Sequence, residues 1–151
     1  MTEQNHPTDQ RIVVGIDGSD GSKAALRWAM TQARLTGASI DAIASWQDPV
    51  MLGYAYDWAA VSIDGESIAT GMAKVLQDTV DAVHSEGGQP VDIHARVVQG
   101  HPAQVLMQAA TGARLLVVGT RGHGTFAGLL LGSVSQHCVQ HATGPVVVVP
   151  Q

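Results

Sequence analysis

The sequence predicts an α/β protein: an open, mostly parallel five-stranded sheet with helices on both faces, making three layers. Three observations carry this. Short apolar segments alternate with segments of helical period, beginning and ending on a strand. The apolar segments are near-continuous Val, Ile and Leu, as in strands buried on both faces. Glycine, proline or small polar residues close most segments, marking where one element ends and the next begins. Each crossover between parallel strands is expected to be right-handed.

Arg11–Asp17 (RIVVGID) is a short apolar run closed by Gly18, Ser19 and Asp20, and reads as strand one. From Ser22 to Thr36 the pattern turns helical: Ala25, Ala29 and Ala33 recur every four residues beside Trp28, and Gly37 stops the helix. Ser39–Trp46 is strand two, and Gln47–Tyr56, with Pro49, Gly53 and two tyrosines, a long loop. Ile68–Ser85 is helix two, its apolar positions Ile68, Met72, Val75, Leu76, Thr79, Val80 and Val83 keeping a helical period until Gly87 and Gly88. Val91–Val98 suits a third strand. Ala103–Ala110 is helix three, entered through Gly100, His101 and Pro102, with Gly112 beyond it. Leu115–Val118 is strand four, and a glycine-rich loop runs from Gly119 to Gly132. Ser133–His141 is helix four, ended by Thr143 and Gly144, and Val146–Val149 is strand five, closed by Pro150.

Composition narrows the function. The 151 residues suit one compact domain of roughly 100–200 residues, expected over 11–151, with 1–10 a disordered polar tail. At 45% hydrophobic and 14% charged, the chain is not of disordered type. Thirteen acidic against eight basic residues give a net charge of −5, which disfavours nucleic acid and anionic membranes as partners. The single cysteine, Cys138, excludes an intrachain disulfide and a cysteine zinc cluster. The longest apolar runs fall far short of the ~20 residues of a membrane span. The start, MTEQNHPTDQ, lacks the basic-then-apolar pattern of a secretory leader, so a cytoplasmic location is expected.

An open parallel sheet binds ligands outside the carboxyl ends of its strands, where the strand order reverses. That rule selects the end of strand one (Gly15–Ser19), the end of strand two (Ala44–Trp46) and the loop after strand four. The last is the richest, reading GTRGHGTFAGLLLGSVS. Its length, about 13 residues against the usual 2–6, is that of a functional loop. Glycines there allow close approach of backbone to ligand, and successive N–H groups can form an anion cradle. Helix four begins just after Gly132-Ser133, adding unpaired N–H donors and a partial positive charge, with Ser133 and Ser135 as hydroxyl donors. The ligand implied is a phosphate ester, a nucleotide foremost. The P-loop pattern is absent, and the first turn spaces its glycines by three, not as GxGxxG.

Gly119, two residues, Gly122, nine residues, then Gly132-Ser133 resembles the G-x2-G-x9-G-[ST] motif of the ATP-binding branch of the universal stress protein family. The resemblance runs from about Arg11 to Pro150, and includes VVGIDGS (Val13–Ser19), VVQGHPAQVL (Val97–Leu106), LLVVGTRGHG (Leu115–Gly124) and GPVVVVP (Gly144–Pro150). It implies a parallel sheet of strand order 3-2-1-4-5. It also implies a site. Asp17 would face the ribose and adenine side, framed by Gly15, Ile16 and Ser19. Ala44 and Trp46 would offer backbone groups to the adenine edge. Val118, Gly119 and Gly122 would lie beside ribose and phosphates, and Gly132, Ser133, Val134 and Ser135 would bind phosphate. The implied ligand is ATP or another adenine nucleotide, with Mg2+ or Mn2+ held largely by phosphates and water. Trp46 stands where relatives carry smaller residues, and Arg121 and His123 lie inside the loop within reach of phosphate.

The remaining candidates are weighed against plainer roles. Asp17 is either a ribose ligand or a turn residue, and its place at the switch point favours the ligand. His137 and His141 stand at i, i+4 on helix four, but no third metal ligand is evident, so they read as packing or solvated residues. Cys138 reads as a small core residue, and Trp28, Met72 and Leu76 as packing. Tyr54, Tyr56 and Trp58 form a lid or a satellite cluster. Strand five is apolar and expected at a sheet edge, which invites pairing with a second copy; relatives dimerise this way. The expected function is nucleotide-dependent regulation through an unidentified protein partner or a change of oligomer. The alternative is a slow ATPase or nucleotidyl-transfer enzyme using Arg121, His123 and Ser133.

Overall fold

The structure, a computed structural model, describes residues 10–48, 65–120 and 131–151. Residues 1–9 of the expected tail, Tyr54, Tyr56 and Trp58, and Arg121, Gly122, His123, Gly124 and Gly128 of the glycine-rich loop lie outside the described residues.

Among the described residues nine elements alternate: β1 (Arg11–Gly15), α1 (Asp20–Thr36), β2 (Ser39–Trp46), α2 (Gly65–His84), β3 (Ile93–Gln99), α3 (Pro102–Ala109), β4 (Leu115–Gly119), α4 (Ser133–His141) and β5 (Val146–Val149). All pairings are parallel, in the order β3-β2-β1-β4-β5, as the resemblance implies. The chain starts in the middle of the sheet, runs to one edge at β3, then crosses to β4 on the other side of β1. The switch point is thus between β1 and β4.

Local chemistry sets the boundaries. Strand one stops at Gly15 instead of Asp17, because Gly18 turns the chain at φ 83° and Ser19 caps α1. The Ser19 hydroxyl accepts from the Ser22 N–H at 3.2 Å, so the helix starts at Asp20, two residues before its apolar period begins. Gly37 ends α1 in the left-handed region at φ 78°, its N–H reaching the Ala33 carbonyl at 2.8 Å. β3 starts at Ile93 instead of Val91; as an edge strand with mostly exposed side chains, it has weak apolar patterning.

The two sides of the sheet bury separate clusters. Ile12, Val14, Ile40, Ala42 and Ala44 face α1 and α2. Val13, Ile43, Leu116 and Val118 face α3 and α4. This is the period-two alternation of a pleated strand. Ala25, Ala29 and Ala33 are buried where α1 meets the sheet, and their small size lets the helix lie close. At the amino ends, Arg11 donates to Asp41 at 2.8 Å and to the carbonyls of Ala109 and Thr111 at 3.1 Å, tying β1 to β2 and to the end of α3.

Cys138 is buried in the cluster beneath α3 and α4, and burial pushes its thiol above the usual thiol range. The thiolate is the reactive form, so alkylation should be suppressed in the folded chain. Iodoacetamide at pH 8 is expected to leave Cys138 unmodified in buffer and to label it fully in denaturant, as read by intact mass. Rapid labelling of the folded chain would contradict the packing of α4.

Candidate functional site

A cleft of about 240 Å³ opens at the carboxyl ends of β1 and β4. Four segments build it. Gly15, Ile16, Asp17, Ser19 and Ser22 come from the β1–α1 turn, and Ile43 and Ser45 from β2. Pro102 and Leu106 come from α3, and Val118, Gly119 and Gly132–Ser135 from β4 and the start of α4.

The β1–α1 turn is locked from within. Asp17 Oδ1 accepts from both the backbone N–H (2.9 Å) and the hydroxyl of Ser19, and the Ser22 hydroxyl donates to the Ser19 carbonyl at 2.9 Å. The carboxylate is therefore fixed as part of the cleft wall and also serves the turn. The Ile16 N–H donates to the Ile43 carbonyl at 2.9 Å, continuing the ladder one residue past β1.

Gly119 supplies a close approach of backbone to backbone in the site. A Cβ there would lie 2.7 Å from both the carbonyl carbon and the oxygen of Gly21. Two glycine backbones, at the end of β4 and in the first turn of α1, thus pass each other with no room for a methyl group. The sequence placed Gly119 beside a ligand; its missing side chain first of all admits α1.

The start of α4 forms the remaining wall. Its N-cap is Gly132, which has no side chain to cap the first-turn amides. The Gly132 N–H donates to the Thr120 carbonyl, closing the ends of the glycine-rich loop on each other. Ser133 is exposed and Val134 half-buried. Ser135 is buried, and its hydroxyl lies 2.9 Å from the Thr120 carbonyl and 3.1 Å from the Gly132 carbonyl. A hydroxyl has one proton, so Ser135 braces the loop instead of offering a phosphate donor.

The structure brings together Gly15, Ile16, Asp17, Ser19, Val118, Gly119, Gly132, Ser133, Val134 and Ser135, while Arg121 and Gly122 lie outside the described residues. Ala44 and Trp46 do not line the cleft. Ala44 faces α1 and α2, and the Trp46 carbonyl already accepts from the Gly100 N–H at 2.8 Å. The alternate residues, Ile43 and Ser45, reach the cleft instead. Sequence position selects the strand end, and the pleat sets which of its side chains, those of Ile43 and Ser45, reach the cleft. Pro102 and Leu106 were missed because α3 follows β3, which ends at the far edge of the sheet; the crossover carries α3 back over β2 and β1. Among the described residues, no three His, Cys, Asp or Glu side chains are gathered so as to hold a metal ion, and no helix is long and apolar enough to cross a membrane.

Known proteins share this architecture. The model of the universal stress protein family matches residues 9–150. A universal stress protein of Mycobacterium tuberculosis is 34% identical over 144 residues, covering 95% of this chain and 46% of the relative. One from Mycolicibacterium smegmatis is 35% identical over 147 residues, covering 95% and 47%. The chain spans about half the length of the curated relatives it matches. The crystal structure of a universal stress protein in complex with cAMP is similar at a TM-score of 0.68 and 29% identity, covering 95% of this chain and 98% of that one. An Archaeoglobus fulgidus universal stress protein in complex with dAMP shares the fold at a TM-score of 0.66 and 22% identity, covering 94% and 98%. With the sheet order, the cleft at the switch point and a family match over nearly its whole length, the chain belongs to the universal stress protein family.

Proposed function

We propose that this chain binds an adenine nucleotide, ATP foremost, in the cleft between β1 and β4, and that occupancy regulates its contacts with other proteins. The observation that carries the reading is the pairing of wall chemistries around one cleft. Ile43, Pro102 and Leu106 make an apolar side suited to a purine ring. In the same lining, Asp17 and the first turn of α4 offer a carboxylate for ribose hydroxyls and N–H donors for phosphate. The solved relative in complex with cAMP supports the ligand class.

In this reading Asp17 orients the ribose while Ser19 holds the carboxylate in place. The Ser45 side chain stands at the adenine side, beside the backbone at the end of β2. The amides of Ser133 and Val134 take phosphate, and Ser135 keeps the loop ends together. A divalent ion would arrive on the phosphates, coordinated mainly by them and by water. A cytoplasmic setting, where adenine nucleotides are plentiful, fits this role. β5 lies at the sheet edge with three of its four valines partly exposed, which supports pairing with a second copy as the element that nucleotide could control.

Calorimetry with ATP, ADP, AMP and cAMP, each with Mg2+, tests the reading in the wild type and in Gly15→Ala. A Cβ at Gly15 would sit 2.7 Å from Leu106 Cδ1, the end of a flexible side chain that lines the cleft, so Leu106 must give way and the lining changes while the backbone stays in place. Stability should fall by less than about 1.5 kcal/mol. Affinity should fall about tenfold, or ~1.4 kcal/mol. No binding of any of the four at millimolar concentration would refute the function, and equal affinity in both proteins would remove the site from this cleft.

A further inference from the structure

We propose that His101, His137 and His141 form a surface site for a divalent transition-metal ion, outside the lining of the nucleotide cleft. His137 and His141 stand one turn apart on α4, and their ring centres are 4.6 Å apart. His101, the N-cap residue of α3, brings its ring centre to 6.0 Å from that of His137. The three rings thus bridge two helices that pack together. The sequence showed only the i, i+4 pair; the third ring is 36 residues away and arrives through the packing of α3 on α4.

The spacing suits a shared ion. With a metal–nitrogen bond of about 2.1 Å, two imidazoles on one ion have ring centres about 4.6 Å apart at a right angle and about 5.3 Å apart at the tetrahedral angle. The helical pair already has the first spacing, so turning the two rings about their side-chain bonds is what would bring one nitrogen of each to a shared ion. His101 must close by about 0.7 Å to reach the tetrahedral spacing of zinc, and as an exposed side chain at a helix start it has room to do so. No preassembled group of three ligands exists among the described residues, so the ion would complete the site by drawing His101 in.

The surroundings favour imidazole chemistry. α3 and α4 carry no Lys, Arg, Asp or Glu, and no Asp or Glu follows Asp92 anywhere in the sequence. The rings have neither a carboxylate on these helices to compete for them nor a fixed cation there to repel an ion. Cys138 lies between the two helical histidines but points into the core, and takes no part. An all-nitrogen, partly exposed site selects Zn2+, Ni2+ or Cu2+ over Mg2+ and Ca2+, which prefer oxygen.

Calorimetric titration of the full chain with ZnCl2 and with NiCl2 tests this, alongside His101→Gln, His137→Gln, His141→Gln and, as a control, His94→Gln, which alters a histidine paired with Asp92 at 3.1 Å. One ion per chain is expected in the wild type and in the control. Even an outer-sphere partner of a metal ligand is worth about 10–100-fold in affinity, so losing His101, His137 or His141 should weaken zinc at least about tenfold. Zinc should also raise the melting temperature of the wild type and not that of the His137→Gln/His141→Gln double variant, and Cu2+ in the wild type should show three coordinated nitrogens by electron paramagnetic resonance. Equal zinc affinity in wild type and double variant would overturn the site, and so would a His101→Gln variant that binds as tightly as the wild type.

Discussion

Gly119→Ala is expected to lower stability by about 2 kcal/mol, near the middle of the usual range for overpacking. For a chain of this size the melting temperature should then fall by roughly 4–8 °C. The reason is the identity of the neighbour. The new methyl group would meet the Gly21 carbonyl group at 2.7 Å, and a backbone inside a helix cannot rotate aside as a leucine can. The first turn of α1 must move away from β4, and Ser19 and Ser22, which line the cleft, move with it. Nucleotide affinity should therefore fall together with stability, unlike in Gly15→Ala, where affinity falls and stability is largely kept. Thermal unfolding and calorimetry on both variants check the contrast. If Gly119→Ala melted within a degree of the wild type, the close approach of the two glycines would be wrong.

Asp41→Ala is expected to destabilise by about 2–4 kcal/mol, close to the cost of breaking a buried ion pair. Asp41 is a nearly buried carboxylate in the middle of a sheet, and Arg11 is its charged partner at 2.8 Å. Removing it leaves a guanidinium whose Nε already lacks a hydrogen-bond partner and whose remaining contacts are carbonyls at the end of α3. Because both side chains are largely shielded, added salt should not reproduce or erase the loss. Urea unfolding with and without 1 M NaCl reads this directly. A loss that vanishes in high salt would mean that the pair is effectively a surface interaction.

The fold was legible where local and global preferences agree. β2, α4 and β5 end where the sequence puts glycine, proline or a polar break, and the structure keeps those limits. The start of α1 was less so: Ser19 looks like a turn residue until its hydroxyl is seen capping the helix, which requires the chain direction set by Gly18. The sheet order could not come from periodicity at all, since alternation is the same for several orders; the resemblance supplied it.

The candidate site divides in the same way. Gly15–Ser19 and Gly132–Ser135 could be found because any parallel sheet collects its strand ends on one side. Ser45 in place of Ala44 turns on which face of β2 is covered by which helix, and that follows only from the two separate cores. Leu106 and Pro102 needed the path of a crossover. His101 beside His137 needed the contact of two helices that the sequence separates by a strand and a long loop. In each case the missing information is tertiary, not a weak local signal.

The most direct measurement is a crystal structure of this chain with ATP and Mg2+. The account predicts the adenine ring between Ile43 and Leu106, the ribose beside Asp17 and phosphate oxygens on the amides at the start of α4. Crystals grown in excess ATP with that cleft filled by the protein's own side chains, and the nucleotide bound elsewhere or not at all, would contradict it.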